Sequence, residues 1–155
     1  MNIFIFGPSC SGKSSLAQFL HSQLGEDWIY LDRDDLIEKE NIPEEHADKE
    51  IDNRLEFKSK FIVDAQIPWR DKKIGELYFL VFPPLEILIH RDEKRTKDLL
   101  RTDEQAFWAR SYVIETYNKL LQRPQVIFHD IFDSSKQTLE VESKKIISYI
   151  ANYNT

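Results

Sequence analysis

Gly7-Pro8-Ser9-Cys10-Ser11-Gly12-Lys13-Ser14 carries two glycines with four residues between them, followed at once by a lysine and a hydroxyl. Such a run can wrap successive backbone N–H groups around phosphate oxygens at the start of a helix, where the helix dipole favours anions. In that arrangement Lys13 brings a mobile positive charge to the outer phosphates, and the Ser14 hydroxyl is a ligand for Mg²⁺. Pro8, Ser9, Cys10, Ser11 and Ser15 complete the nucleotide-binding stretch. The plainer reading is a serine-rich turn that happens to contain Gly-Lys-Ser. What separates the two is the flanking structure.

That structure has the required order. Met1 to Phe6 is a short apolar run suited to a buried parallel strand, and Leu16, Phe19, Leu20 and Leu24 form a helical stripe within Ser15–Leu24. Gly25 follows where a left-handed cap closes a helix.

A second strand, Trp28 to Leu31, runs directly into Asp32-Arg33-Asp34-Asp35. Ligands of an open parallel sheet sit beyond the carboxyl ends of its strands, which brings these acids close to the phosphate loop. Three carboxylates there need a cation or a hydroxyl beside them, and a positioned carboxylate can accept the proton of an attacking hydroxyl. The plainer alternative is that Asp34 or Asp35 merely caps the helix starting near Leu36, a common use of Asp.

Residues 36–60 are charged with sparse apolar positions. Pro43 is expected near the first turn of a second helix, on which Ile51 and Leu55 make a narrow stripe. Phe61 to Asp64 reads as the third strand, ending in an acid placed to serve Mg²⁺ or an acceptor, or else to start an Asx turn. The next loop, Ala65 to Gly75, has room for a brief helix only, and Gln66, Trp69 and Arg70 on it are within reach of an acceptor.

Glu76 to Phe82 is the fourth strand, stopped by Pro83-Pro84, and a helix begins at Leu85. Arg91 and Arg95 share one face of it. A basic lid over about residues 91–104 would place arginines against the transferring phosphoryl group, and Arg110 could point back to the phosphates. Asp103 to Leu121 reads as a long helix with Phe107, Tyr112, Tyr117, Leu120 and Leu121 in the core. Gln125 to His129 reads as the fifth strand, with His129 structural and Asp130 and Asp133 in turns. Leu139, Ile146, Ile147 and Ile150 mark a closing helix.

The chain therefore reads as one α/β domain over 1–155. The expected architecture has three layers: a five-stranded parallel sheet flanked by helices, with a basic lid. No apolar run is long enough to span a bilayer, and the N-terminal run reads as a strand rather than a leader. The single cysteine, Cys10, cannot form an intramolecular disulfide, which suggests a cytoplasmic setting. A net charge of −6 argues against a protein that coats nucleic acid.

GPSCSGKSS followed by YLDRDDLI resembles the small P-loop kinases of the nucleoside-monophosphate-kinase-like group. Within it the chain is similar to chloramphenicol phosphotransferases, zeta-toxin-type kinases and polynucleotide 5′-kinase domains. The first and last of these resemblances both imply that Asp34 is the catalytic base. Asp32 and Asp34 also resemble the D-x-D of shikimate- and gluconate-type kinases, which implies magnesium and acceptor roles. Ile89 to Arg95 is similar to a polynucleotide kinase lid, implying phosphate contacts for Arg91 and Arg95. Arg101 to Glu104 with Arg110 resembles the lid arginines of adenylate kinases, and Pro84 to Leu88 the stretch after strand four in the chloramphenicol enzymes. Two departures bear on the acceptor: Ile37 stands near the place of a polynucleotide kinase arginine, and the crossover after Asp64 is shorter than in the chloramphenicol enzymes.

The resulting expectation is a Walker A transferase that uses ATP and Mg²⁺ to phosphorylate a small hydroxylated acceptor. Lys13, Asp34, Arg91 and Arg95 are the catalytic set. Ser14, Asp32 and Asp64 are the metal set, and Asp32, Asp34, Asp64 and Arg110 serve the substrate. A nucleic-acid 5′-hydroxyl is the alternative acceptor, and a nucleotide-dependent ATPase or switch is the rival outside kinases. No membrane role is expected, and the sequence leaves the oligomeric state open.

Overall fold

The computed structural model describes residues 1–57 and 59–153. Five parallel strands run β1 (Asn2–Phe6), β2 (Trp28–Asp32), β3 (Lys60–Ala65), β4 (Glu76–Val81) and β5 (Asp130–Phe132), in the spatial order β2-β3-β1-β4-β5. Among the described residues six α-helices accompany them: α1 (Lys13–Leu24), α2 (Arg33–Glu38), α3 (Glu44–Leu55), α4 (Leu85–Asp98), α5 (Asp103–Leu121) and α6 (Leu139–Tyr153).

The unbroken apolar run at the N-terminus has a direct cause. As the middle strand, β1 is covered on both faces, so neither face can be polar. Ile3 and Ile5 pack with Leu16, Ala17 and Leu20 of α1 and Ile146 of α6. Phe4 and Phe6 face the other way, with Leu36 of α2, Ile51 of α3 and Leu120 of α5. Helices thus lie on both sides of the sheet. The chain leaves β1 for the far edge at β2, returns through β3, then crosses β1 to β4. The crevice for a ligand opens where the connections part, at the carboxyl ends of β1 and β3.

Three expectations need correction. The fifth strand is Asp130–Phe132, so Asp130 is a strand residue; Gln125–Ile127 is a single 3-10 turn after Pro124, with Val126 exposed. The apolar run does not pair as a strand, and Ile127 and Phe128 pack against the core instead. His129 accepts the Tyr78 N–H on Nδ1 at 3.0 Å and stays structural. Residues 66–75 contain no helix, because an extended chain gains about 3.3 Å per residue and ten residues span the crossover without one.

Third, α5 buries fewer of its apolar residues than expected. Phe107 and Trp108 are 64% exposed, Leu121 56% and Tyr112 41%, while Val113, Thr116 and Leu120 form the buried stripe and half-buried Tyr117 stacks on Phe82. Neither Trp69 nor Arg70 is free for an acceptor. Trp69 donates Nε1–H to Asp52 at 3.1 Å, and the Arg70 fork spans Asp52 and buried Glu76, both at 2.7 Å. They fasten α3 to the start of β4.

Candidate active site

The phosphate loop is shaped by two backbone demands. A Cβ on Gly7 would stand 2.6 Å from both the Ser11 hydroxyl and the Val81 carbonyl oxygen, so only glycine lets the loop leave β1 beside β4. Gly12 has φ +96 and serves as the cap of α1, a conformation that costs glycine little. Cys10 is also left-handed, at φ 66. The loop closes on itself through Ser11 N–H to Pro8 O at 3.2 Å, and α1 then begins at Lys13 with its N-terminus at the loop.

Arg91 reaches across from α4 and donates Nη1 to the carbonyls of Cys10 (3.2 Å) and Ser11 (3.1 Å) and to the Ser134 hydroxyl (2.9 Å). Ser134 in turn donates to Ser11 O at 2.5 Å. The loop after β5 is therefore tied to the phosphate loop through one guanidinium. Arg95, one turn further along α4, lines the cleft and is paired with no acid among the described residues.

At the ends of β2 and β3, Asp32 and Asp64 are direct register partners. Tyr30 Oη donates to both, at 3.2 Å each. Burial and then these two negative charges push its phenol pKa upward. Asp32 Oδ1 also accepts the Asp34 N–H at 2.9 Å, so Asp32 is the cap of α2. This resolves the capping alternative: neither Asp34 nor Asp35 is the cap, and the Asp34 side chain is left facing the cleft it lines.

Asp64 is 1% exposed, 3.8 Å from Lys13 Nζ, and its Oδ1 has no hydrogen-bond partner. Burial lifts its carboxyl to about 6, with Lys13 and then the Ser14 hydroxyl pulling down and Asp32 pushing up. Among the described residues no group of three or more His, Cys, Asp or Glu converges as a protein-built metal cage. Mg²⁺ in phosphoryl-transfer sites needs none, since it keeps waters and takes one or two carboxylates beside the phosphates. The unpartnered Asp64 oxygen, Asp32 and the Ser14 hydroxyl are hard oxygen donors of that kind, and they fit such an ion.

A carboxyl held near 6 in the fold against an ordinary value of 3.8 binds protons more tightly when folded, so its ionisation opposes folding and stability falls as pH rises through that window. Asp64→Asn removes this cost. In metal-free buffer the melting temperature of the variant relative to wild type is expected to rise between pH 4 and 6 and level off above 7. The gain is on the order of 2 kcal/mol, reduced by the unpaired Lys13. A pH-independent difference would rule the effect out.

The cleft built this way measures about 770 Å³. It is lined by Ser9, Cys10, Gly12, Lys13, Ser14 and Ser15 of the loop and first turn, by Asp32 and Asp34, and by Arg91 and Arg95. Gly7, Pro8 and Ser11 lie beneath as its frame, and Asp64 sits behind Lys13. Arg110 is not among the lining residues. Its Nε lies 3.7 Å from buried Asp92 and an Nη 3.3 Å from Glu93, so α4 acids hold it away from the phosphate loop. Arg101 is likewise taken by Asp92 at 2.9 Å. The remaining lining comes from Asp35, Glu38 and a wall unforeseen in the sequence, Ser134, Gln137, Thr138, Leu139 and Glu142. The available signal was Asp133-Ser134-Ser135, a turn sequence after the last strand, in which Asp133 accepts the Ser135 N–H at 3.0 Å.

Residues 1–71 match the profile of the family described as chloramphenicol phosphotransferase-like protein. The match covers the first 71 of 155 residues, and together with the fold it makes the chain similar to P-loop kinases of the nucleoside-monophosphate-kinase-like type. A P-loop kinase is a phosphotransferase, and kinases of this fold normally use ATP and Mg²⁺.

Among solved structures the chain resembles shikimate kinase from Acinetobacter baumannii, solved with shikimate, at 16% identity and TM-score 0.60 over 97% of this chain and 93% of that one. Shikimate kinase from Bacteroides thetaiotaomicron is similar at 14% identity and TM-score 0.66, covering 97% and 98%. A sugar kinase from Janibacter sp. HTCC2649 matches at 14% and 0.66, covering 97% and 94%. At these identities the likeness is one of fold. No curated protein matches the sequence significantly. Among the described residues no helix is long and apolar enough to cross a membrane.

Proposed function

We propose that this single-domain kinase transfers the γ-phosphate of ATP to a hydroxyl of a small acceptor. The observation that carries the reading is the meeting, in one cleft, of a phosphate loop with Lys13 and Ser14 and a separate acid, Asp34. ATP would lie with its phosphates on the Gly12–Ser14 turn, and Mg²⁺, held by Ser14 with Asp32 and Asp64, would offset charge on the phosphates. Asp34 accepts the proton of the attacking hydroxyl. Lys13 and Arg95 stabilise negative charge on the transferring group, and Arg91 fixes the loop that holds it. Positioning and electrostatics supply most of the rate, as in phosphoryl transfer generally.

The acid at the cleft favours a kinase over a nucleotide switch, because hydrolysis-driven shape change requires no base for an acceptor hydroxyl. The segment over about 91–104 acts as the lid, with Arg101 and Arg110 stored on Asp92 in the structure described. The profile match and the shikimate and sugar kinase likenesses support a small hydroxylated acceptor over a nucleic-acid end, as does the net charge of −6.

The test is ADP release with Mg-ATP across cyclic polyols and hydroxy acids, sugars, nucleosides, chloramphenicol-like alcohols and 5′-hydroxyl oligonucleotides. Stimulation by one small-molecule class is expected. Stimulation by the oligonucleotides alone would replace the acceptor, and nucleotide binding without any stimulation would move the reading to the switch.

A further inference from the structure

Asp32 and Asp64 stand side by side on neighbouring strands, and one side chain touches both. Tyr30 precedes Asp32 by two residues on β2, so the strand period of two puts its side chain on the same face of the sheet. Its hydroxyl lies 3.2 Å from Oδ2 of Asp32 and 3.2 Å from Oδ2 of Asp64. A phenol carries one proton and cannot give a full bond to two carboxylates at once, and both distances are long for an O–H to oxygen bond. The contact is therefore shared between the acids.

This sharing sets how each carboxylate is turned. Asp32 is held at both ends, Oδ1 by the Asp34 N–H at 2.9 Å and Oδ2 by Tyr30. Asp64 is held by Tyr30 at Oδ2, and its Oδ1, which has no hydrogen-bond partner, is the oxygen 3.8 Å from Lys13 Nζ. Two like charges so placed repel each other, and a donor between them offsets part of that repulsion. The phenol is itself anchored. Its ring packs against the core cluster of Ile3, Ile5 and Leu20 and lies 6.2 Å from the His21 ring of α1, with Gln18 of the same helix a further hydrogen-bonding neighbour of the hydroxyl. Packing of the ring needs no hydroxyl, since phenylalanine has the same ring. What the hydroxyl adds is its hold on the two acids.

We propose that Tyr30 is a positioning residue for the divalent metal: its hydroxyl holds Asp32 and Asp64 in one spacing and orientation before the ion arrives. Groups that orient metal ligands without touching the metal account for about 10–100-fold in metal affinity, because the ligands then need no rearrangement on binding. Tyr30 reaches the ion only through the acids. The inference rests on the proposed assignment of Asp32 and Asp64 to the metal, and requires no knowledge of the acceptor.

The experiment is equilibrium binding of Mn²⁺, an octahedral oxygen-seeking stand-in for Mg²⁺, to the protein–ADP complex, read from the paramagnetic resonance signal of the free ion. Wild type, Tyr30→Phe, Asp64→Asn and the variant with both changes are compared, and ADP affinity in EDTA is measured for each. Tyr30→Phe is expected to lower Mn²⁺ affinity about tenfold or more while leaving ADP affinity in EDTA unchanged. Because the hydroxyl works through the acids, the same change should cost clearly less in the Asp64→Asn background. Unchanged Mn²⁺ affinity in Tyr30→Phe, or a loss of the same size whether Asp64 is present or replaced, overturns the proposal while leaving the metal set standing. A parallel loss of ADP affinity in EDTA would show Tyr30 to be structural and also overturn it. If wild type binds no Mn²⁺, or Asp64→Asn binds it as tightly as wild type, the metal set itself is overturned, and this proposal with it.

Discussion

Lys13→Ala is expected to lower phosphoryl transfer by on the order of 10³-fold or more, because a preorganised cation at developing phosphoryl charge is among the largest contributions in this chemistry. The effect should fall on kcat more than on nucleotide affinity, since the loop's backbone N–H groups remain. A second consequence follows from burial. Lys13 is 7% exposed and lies 3.8 Å from Asp64, which is 1% exposed, so removing the ammonium leaves an acid alone in the interior. Breaking such a pair typically costs about 3–5 kcal/mol, a figure reduced here because Asp64 already holds its proton up to about pH 6 and can keep it. Double substitution of Lys13 with Met and Asp64 with Asn separates the two effects. Thermal stability should return while turnover stays absent; recovery of turnover would remove Lys13 from the mechanism.

Asp34→Asn is expected to lower acceptor-dependent turnover by about 10²–10⁴-fold, the range for loss of a positioned general base. The fold should tolerate it, because the cap of α2 is Asp32, whose carboxylate accepts the Asp34 backbone N–H that asparagine retains. Nucleotide binding and slow hydrolysis in the absence of acceptor should be nearly unchanged. If basal hydrolysis falls in the same proportion, Asp34 serves the nucleotide or metal rather than the acceptor. Tyr112 offers a further readout, since burial and then the Asp34 charge are the two main influences raising its phenol pKa. That elevation should be smaller in the variant, measurable by ultraviolet titration.

How far these sites could be read without coordinates depended on whether their chemistry was local. The path of the phosphate loop was legible because it needs only consecutive residues: a strand to enter, Gly12 at positive φ, and a helix to leave by; that a Cβ on Gly7 would strike the Val81 carbonyl of β4 was not. The alternation of strands and helices fixed a parallel sheet with covered faces, and with it the convergence of Asp32 and Asp64 at one edge, because both follow apolar strands. The long helix expected over Asp103–Leu121 has those bounds in the structure, where a capping box closes its start, with Thr102 and Gln105 exchanging hydrogen bonds.

Partner choice, by contrast, belongs to the tertiary structure. Arg91, Arg95, Arg101 and Arg110 look alike along the chain, yet Asp92 captures two of them, while Arg91 and Arg95 line the cleft, Arg91 tied to the loop carbonyls and Arg95 paired with no acid among the described residues. A charge run gives no direction to its side chains until a second helix packs beside it. The buried face of α5 was misjudged for the same reason: hydrophobicity placed Phe107 and Tyr112 inside, whereas the stripe that the fold buries runs through Val113, Thr116 and Leu120 and leaves them exposed. The short strand β5 had too few residues to show a period, and the turn ahead of it was the more apolar stretch. Gln137 and Glu142 carried no motif at all. They joined the wall of the cleft only when the turn after β5 brought the start of α6 beside the phosphate loop, leaving one oxygen of each buried without a hydrogen-bond partner among the described residues.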